Sequence, residues 1–195
     1  MIEFLEEIDR SIVLTINGWN TPFLDELMWW ISARITWIPL YLILLFLAYK
    51  KLSRNHLFLF VGLLGLTIAL TDLTSVHLFK NVFLRYRPSH NLMLTNQLHF
   101  YLIQPGEYYK GGEYGFISSH ATNFFAIITF TYLVLRKAYP KLIYPLFFIG
   151  IVIAYSRIYL GVHYLSDVFV GALIGSIIAF GIYRFLYLRF SESLK

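Results

Sequence analysis

Five apolar runs, each close to the length of a membrane-spanning helix, constrain the fold of this chain more than any other feature. A helix rises about 1.5 Å per residue, so about 20 apolar residues cross the hydrocarbon core of a bilayer. Apolar residues make up 58% of the chain, charged residues only 14%, and the mean hydropathy is +0.63. The sequence therefore predicts an all-α, polytopic transmembrane helix bundle.

We expect one integral-membrane domain over residues 1–195, with about five spans. They are predicted at residues 27–49, 56–79, 119–135, 141–157 and 165–188. Residues 1–22 precede the spans and carry apolar residues at helical spacing, at Leu5, Ile8, Ile12, Ile16 and Trp19. Charges interrupt this segment, so it predicts an amphipathic helix lying flat at the membrane interface. It is acidic where a signal peptide is basic, and no cleaved leader is expected.

The basic residues divide unequally between the two sides of the membrane. Alternate connections place nine of the sixteen Lys and Arg on one side, with Glu192 as its only acid. The nine are Lys50, Lys51, Arg54, Arg136, Lys137, Lys141, Arg184, Arg189 and Lys195. The positive-inside rule makes this side cytoplasmic, so the long loop over residues 89–115 faces outward. Because these charges flank spans, the net charge of +5 does not indicate a nucleic-acid partner.

The stretch from Ser156 to Asp167 carries the strongest chemical signal. His163 lies four residues before Asp167, and Arg157 lies six residues before His163. If the chain is helical from His163, one turn brings the imidazole and the carboxylate together. A carboxylate that accepts the Nδ1 proton leaves Nε2 free as a nucleophile or general base. The alternative is a structural pair in which the two groups satisfy each other.

Two more clusters fall on the same predicted outer side. Residues 80–88 place Lys80, Arg85 and Arg87 at a span end where the positive-inside rule predicts few cations, which favours phosphate binding over snorkelling. Residues 115–123 place His120 just after two serines. A serine is a good cap for a helix start, and the free N–H groups there favour an anion. Taken alone, however, this cluster fits better as an ordinary serine cap beside an interface histidine.

Together the clusters predict a phosphoryl-transfer site. Lys80, Arg87, Arg157 and the Ser118 and Ser119 amides form an anion cradle, His163 attacks phosphorus, and His120 protonates the leaving oxygen. The chain has no cysteine and no carboxylate cluster suited to Mg²⁺, so we expect no metal and no other cofactor. Asp72, within the second span, is interpreted as a structural partner or as support for the site.

The three clusters resemble, in order, the signature of the type 2 phosphatidic acid phosphatase family. They read Lys80-x6-Arg87-Pro88, then Ser118-Ser119-His120, then Ser156-Arg157-x5-His163-x3-Asp167, and the likeness extends over about residues 72–175. The family motif Pro-Ser-Gly-His here reads Ile117-Ser118-Ser119-His120. Serine in place of glycine disfavours any left-handed backbone there.

The resemblance implies a bacterial inner-membrane phosphatase that works through a phosphohistidine without metal. It implies that His163 is the nucleophile, Asp167 its orienting group and His120 the acid, while Lys80, Arg87, Ser118 and Arg157 hold phosphate. The expected substrate is a membrane lipid phosphate: undecaprenyl diphosphate, phosphatidylglycerol phosphate or a lipid A phosphate. The alternatives are a lipid phosphotransferase and a non-enzymatic anion-transporting or scaffolding bundle. The sequence defines no oligomeric state.

Overall fold

The computed structural model describes residues 2–194, so Met1 and the predicted cytoplasmic Lys195 lie outside the described residues. Seven helices and one small hairpin make up the described chain. The helices are α1 (Ile2–Asn17), α2 (Pro22–Ser32), α3 (Ile38–Lys51), α4 (Arg54–Phe83), α5 (Ser119–Leu135), α6 (Ile143–Tyr159) and α7 (Leu165–Glu192). The strands are β1 (Leu102–Gln104) and β2 (Glu107–Tyr108), paired antiparallel. Single 3₁₀ turns occur at Arg34–Trp37, Pro88–His90 and Pro140–Leu142.

The predicted helical membrane bundle is confirmed. Three helices are long and apolar enough to cross a membrane, namely α4, α6 with its preceding 3₁₀ turn, and α7. The pair α2 and α3 makes a fourth span if it is counted as one, and α5 is a shorter apolar helix of 17 residues. Each of the five predicted spans therefore corresponds to a helix or to a helix pair.

The first predicted span differs from expectation because it is broken. The helices α2 and α3 are bent by 65° where the chain passes through Ala33 and the 3₁₀ turn. Ala33 has extended backbone angles, and Pro39 stands in the first turn of α3. A proline has no N–H to donate to the preceding turn, so an unbroken helix cannot run through this position.

Helix α1 forms as predicted, but its most buried residues lie beside the predicted apolar stripe, of which Ile12 and Ile16 are partly buried against the core. Asp9, Val13 and Asn17, spaced four residues apart, are the residues that are buried. Leu5 and Ile8 are exposed, as is expected for side chains that meet lipid. Asn17 donates to the carbonyls of His99 and Tyr159 at 2.8 and 2.7 Å, which fixes the end of α1 to the outer loop and to α6.

The outer loop over residues 89–115 contains structure that the sequence did not indicate. Besides the β1–β2 hairpin, Tyr86 pairs with Tyr114 as an isolated antiparallel bridge. The Trp29 ring of α2 stacks on Tyr101 at 4.5 Å and meets Tyr109 edge-on at 4.9 Å. These aromatic contacts hold the loop down over the end of α2.

Helices α5 and α7 make the most extensive helix–helix contact among the described residues, and small residues allow their approach. A Cβ atom placed on Gly175 would lie 2.1 Å from the Thr122 carbonyl oxygen, and one on Gly171 would lie 2.9 Å from the Ser118 carbonyl oxygen. These two glycines stand four residues apart on one face of α7, an arrangement that lets helix backbones come close in membranes. The approach matters because α5 and α7 begin at the candidate site.

We expect Gly175→Ala to destabilise the protein by about 1–3 kcal/mol, because the added methyl group meets backbone that cannot move without separating the helices. Gly62→Ala on α4 is the matched control, since nothing lies within 4 Å of a Cβ there. The control should keep or slightly raise stability, since alanine is the better helix former. Thermal unfolding of the detergent-solubilised variants measures both effects. Equal unfolding temperatures for the two variants would contradict the packing argument.

Candidate active site

A short antiparallel pairing joins two of the sequence clusters. Arg87 N donates to the Glu113 carbonyl at 3.0 Å, and Gly115 N donates to the Arg85 carbonyl at 2.9 Å. The segment after α4 is thereby tied to the segment that leads into α5. A Cβ atom on Gly115 would lie 3.0 Å from Arg87 Cγ and 3.0 Å from Asp167 Oδ2, so this position admits little more than a hydrogen. Because Gly115 has no side chain, Arg87 of the first cluster and Asp167 of the third can both pack against it.

The predicted contact between His163 and Asp167 is present, but a helix cap produces it rather than a helical turn. His163 precedes α7, whose N-cap residue is Tyr164. The Asp167 Oδ2 atom accepts from Tyr164 N at 3.0 Å, as the carboxylate of a capping box does. The same oxygen lies 3.3 Å from His163 Nδ1, and both side chains are buried.

Arginine determines which nitrogen of His163 carries the proton. Arg87 Nη1 lies 2.9 Å from His163 Nε2 and 3.1 Å from the Val162 carbonyl oxygen. A guanidinium group can only donate, so Nε2 is the acceptor and the proton is on Nδ1, facing Asp167. This is the tautomer that a nucleophilic Nε2 requires. In this arrangement Arg87 also covers the lone pair that would attack.

The surroundings of His163 keep its ring neutral. Burial, followed by the positive charges of Arg87 and Arg157, holds the pKa of His163 well below the ordinary imidazole value. Burial and then the neighbouring Arg157 also lower the pKa of Arg87, to about 10. Arg87 therefore stays a cation at neutral pH, while the imidazole of His163 stays neutral with a lone pair on Nε2.

Helix α4 contributes two side chains to Ser119 through a π-helical segment, Thr74–Lys80. Lys80 Nζ donates to Ser119 Oγ at 2.7 Å, and the Ser75 hydroxyl lies 2.8 Å from the same oxygen. Residues five apart point about 140° away from each other on an α-helix. The i→i+5 bonding of a π-helix brings them to one face, and such segments are frequent at functional sites.

The serine that replaces the family glycine fits the local backbone. Ser119 is the first residue of α5, and among the described residues Leu84 is the only non-glycine with a positive φ. Ser118 precedes the helix but makes no side-chain cap bond. The sequence predicted that the Ser118 amide is free to bind an anion. In the structure it is not free, because it donates to the Asp167 carbonyl at 3.0 Å.

Arg157 enters from the end of α6 and is held by residues that sequence reasoning missed. Its Nη1 donates to Ser32 on α2, and its Nη2 donates to the Tyr109 hydroxyl of the outer loop at 2.9 Å. Arg157 and His120 line a cavity of about 190 Å³ together with these residues. No motif marks Ser32, and only the aromatic richness of the loop hints at Tyr109.

Several buried donors in this region have no partner among the described residues. They are Arg87 Nε, Arg157 Nε and Ser118 Oγ. Buried donors without acceptors cost free energy, and natural proteins rarely keep them without a reason. Their residues are three of the predicted phosphate contacts. Asp72 makes no hydrogen bond to any of these three residues. It accepts a hydrogen bond from Asn123 Nδ2 at 3.2 Å.

Arg85 is the cation that behaves differently from its neighbours in the first cluster. Its Nη1 donates to Asp167 Oδ1 at 2.9 Å, and its Nη2 donates to Asp9 Oδ2 at 2.8 Å. Its charge is thus matched by carboxylates, whereas Lys80, Arg87 and Arg157 make no ion pair with a described acid. The sequence had grouped Arg85 with the phosphate-facing cations, and Asp9 carried no signal at all.

The fold and the site together define a helical membrane protein with a buried, cation-rich pocket around a neutral histidine. Within that class, the sequence profile of the PAP2 superfamily matches residues 57–191, which cover all three clusters. The chain belongs to the PAP2 superfamily, and the family resemblance seen in its motifs is confirmed.

Similar proteins carry the names of lipid phosphatases. A lipid A 4'-phosphatase of Porphyromonas gingivalis is 35% identical over 190 residues, which are 96% of this chain and 77% of that protein. A lipid A 4'-phosphatase of Bacteroides thetaiotaomicron is 31% identical over 90% of this chain and 75% of its own. An undecaprenyl-diphosphatase of Sulfolobus acidocaldarius is 29% identical over 92% of this chain and 75% of its own.

Two solved structures share the fold. The PAP2-type phosphatidylglycerolphosphate phosphatase of Bacillus subtilis has a TM-score of 0.65 and 21% identity, over 98% of this chain and 88% of that one. Aquifex aeolicus LpxE has a TM-score of 0.60 and 21% identity, over 90% and 94% of the two chains. At this identity the likeness speaks for the helical architecture.

Proposed function

We propose that this protein is a membrane phosphatase that hydrolyses a lipid phosphate through a phosphohistidine on His163. One observation carries the proposal. His163 is neutral and buried, its Nδ1 proton faces Asp167, and its Nε2 lone pair faces a cation that no acid neutralises. A histidine in a merely structural pair would not need unpaired arginines around it.

The first half of the reaction forms the covalent intermediate. Phosphate binds to Arg87, which exchanges its bond to Nε2 for bonds to the phosphate oxygens and so exposes the nucleophile. The Nε2 lone pair attacks phosphorus, and the bond from phosphorus to the leaving oxygen breaks. His120, whose protonated form is favoured by the negative charge of the bound phosphate, donates a proton to that oxygen. Asp167 stabilises the imidazolium charge that develops on His163.

The second half regenerates the enzyme. His120, now neutral, accepts a proton from a water molecule that attacks phosphorus on the face the leaving group has vacated. The bond from phosphorus to Nε2 breaks, and inorganic phosphate leaves. Throughout, Lys80, Arg87, Arg157, Ser118 and Ser119 neutralise or hydrogen-bond the phosphoryl oxygens, which is the main contribution a protein makes to phosphoryl transfer.

No metal enters this scheme. Among residues 2–194, no group of three or more His, Cys, Asp or Glu side chains is arranged as a metal site. Three cations already stand where the negative charge of the phosphoryl group develops, and they supply the neutralisation that Mg²⁺ supplies in other phosphoryl-transfer enzymes. The chemistry of the residues, rather than an empty site, is the basis of this proposal.

Lipid A phosphate is the substrate that we place first. Both relatives above 30% identity are named lipid A 4'-phosphatases and cover at least 90% of this chain. Undecaprenyl diphosphate comes second, because a more distant relative is named for that activity. Phosphatidylglycerol phosphate completes the panel, since one enzyme named for it shares the fold.

We further propose that the site opens on the outer face of the inner membrane of a bacterium. The described basic residues at the opposite ends of the spans, from Lys50 to Arg189, support this orientation through the positive-inside rule. The site lies at the ends of α4, α6 and α7, where a lipid headgroup is within reach. A lipid is therefore the phosphate ester most easily presented.

Purified protein in detergent should release inorganic phosphate from at least one lipid of the panel, with and without excess EDTA. His163→Ala should abolish turnover because it removes the nucleophile, while Asp167→Ala should leave a small residual activity. A hydrolase releases phosphate in step with substrate loss, whereas a phosphotransferase passes it to an acceptor lipid. A His163→Ala variant with near-normal kcat would overturn the mechanism, and absence of phosphate release from every lipid would favour a non-enzymatic bundle.

His120 is expected to act on the leaving group, and a leaving-group series tests that role. His120→Ala should lower kcat strongly on the natural lipid but much less on p-nitrophenyl phosphate, whose leaving group needs no proton. Arg87→Ala is the comparison. It should cost ten- to more than a hundredfold in kcat/KM on both substrates, because a buried charge-assisted contact is worth about 1.5–3 kcal/mol. Equal defects of His120→Ala on both substrates would leave His120 only a phosphate-binding role.

Single cysteines in this cysteine-free chain test the orientation. Asn96, in the outer loop, and Lys137, between α5 and α6, are both exposed. In intact cells an impermeant maleimide should label a cysteine at Asn96 and spare one at Lys137. Cells made permeable should label both, which controls for reactivity. The reverse pattern in intact cells would place the site on the cytoplasmic side.

A further inference from the structure

An acid on the N-terminal helix is buried against the start of α7. Asp9 is only 5% exposed, although it belongs to the segment expected to lie flat at the membrane interface. Its Oδ1 accepts from Ser166 N at 3.0 Å, and its Oδ2 accepts from the Ser166 hydroxyl. Ser166 is the second residue of α7, so Asp9 caps from another helix the element that carries Asp167.

Arg85 lies between this acid and the carboxylate beside His163. Its Nη1 donates to Asp167 Oδ1 at 2.9 Å and to Ser166 Oγ at 2.7 Å, and its Nη2 donates to Asp9 Oδ2 at 2.8 Å. The guanidinium lies over the Tyr164 ring, 4.2 Å from the ring centroid. The Nη1 atom and one face of Arg85 therefore engage the start of α7, while Nη2 engages Asp9 of α1.

The two oxygens of Asp167 have separate partners. Oδ2 faces His163 Nδ1 and accepts from Tyr164 N, while Oδ1 takes only Arg85 as a side-chain partner among the described residues. Asp167 has no exposed surface while Arg85 is in place, so Arg85 is the group that satisfies Oδ1. Loss of Arg85 would leave a buried carboxylate half unpaired and free to turn away from His163.

We propose that Arg85 and Asp9 are positioning residues for the reaction: Arg85 orients the Asp167 carboxylate toward His163, and Asp9 of α1 holds Arg85 in place. The inference rests on the proposed nucleophilic role of His163. It separates Arg85 from Lys80 and Arg87, which the same sequence motif contains and which face the phosphate. It also makes α1 part of the active site, because its buried acid completes the chain Asp9–Arg85–Asp167–His163.

A comparison of Arg85→Ala with Arg87→Ala distinguishes positioning from phosphate binding. Arg85→Ala should lower kcat about 10- to 100-fold, the usual cost of losing a group that orients a ligating or catalytic histidine, and leave KM within about twofold. Arg87→Ala should raise KM as well. If Arg85→Ala raises KM as much as Arg87→Ala does, Arg85 belongs to the phosphate cradle and the proposal is wrong.

A double-mutant cycle with Asp167 tests the path of the effect. In the Asp167→Ala background, which should retain a small activity, adding Arg85→Ala should change kcat by less than about threefold. Asp9→Asn should behave in the same way: several-fold slower in the native background and silent in Asp167→Ala. A full, multiplicative loss in both backgrounds would mean that Arg85 acts on something other than Asp167.

Variants that keep the fold guard against a trivial loss of structure. Arg85→Lys preserves one ion pair and should recover part of kcat, and guanidinium ion in the buffer should partly restore Arg85→Ala. Arg10→Gln is the matched control on α1. This variant should leave kcat unchanged, because Arg10 pairs with Glu6 on the same helix. If neither Arg85→Lys nor guanidinium restores any activity to correctly folded protein, the positioning role is refuted.

The two proposals fail in different ways. An active His163→Ala variant would remove the phosphohistidine mechanism, whatever Arg85 does. An inactive His163→Ala variant together with an Arg85→Ala variant of normal kcat would leave the mechanism standing and remove only the positioning role. An Asp9→Asn variant of normal kcat beside a slow Arg85→Ala variant would remove α1 from the site and retain Arg85.

Discussion

A carboxylate without access to water organises the end of the bundle at which the candidate site lies. Asp167 has no exposed surface, and burying its charge is tolerable only if every lone pair finds a donor. Arg85, the Tyr164 amide and His163 provide those donors. Arg85 comes from the segment that follows α4, whereas His163 and Tyr164 belong to the turn that leads into α7. Satisfying one carboxylate therefore fixes these two segments relative to each other.

On the other side of His163, positive charge is in excess. Lys80, Arg87 and Arg157 gather there without a described carboxylate to pair with any of them, and two of them retain a buried Nε without an acceptor. Positive charge held apart from acids is a preorganised binding site for an anion. It also keeps His163 neutral, which is the protonation state in which the imidazole can attack. In the proposed mechanism, the same cations therefore serve both substrate binding and the readiness of the nucleophile.

The packing of the helices brings the buried carboxylate and the cluster of cations together at one end of the bundle. The glycines of α7 allow α5 to approach it closely, and this places the Ser118 and Ser119 turn beside Asp167. The break at Ala33 turns the end of α2 inward, where Ser32 meets Arg157. An unbroken first span would carry Ser32 past the site. The irregular features, which are the bend, the π-helical segment of α4 and the missing Cβ of Gly115, all lie around the proposed reaction centre.

Much of the architecture was encoded locally and could be predicted. The lengths of the apolar runs determined the helices, since a membrane accepts little else, and residue types in order determined the three clusters and the family. The His163–Asp167 contact also followed from spacing, although a helix cap rather than a helical turn produces it.

The tertiary structure alone decided how the charged residues divide their roles. Lys80, Arg85 and Arg87 look alike in sequence, yet only Arg85 turns toward carboxylates, one of which lies 76 residues before it and the other 82 residues after it. Asp9 accepts a hydrogen bond from the backbone N–H of Ser166, which lies 157 residues further along the chain. Tyr109 accepts one from Arg157, 48 residues further along. Periodicity in one chain reports which face a residue occupies, but it holds no information on partners so distant. Which buried charge meets which is determined by the requirement that all of them be satisfied at once, and only the assembled bundle meets that requirement.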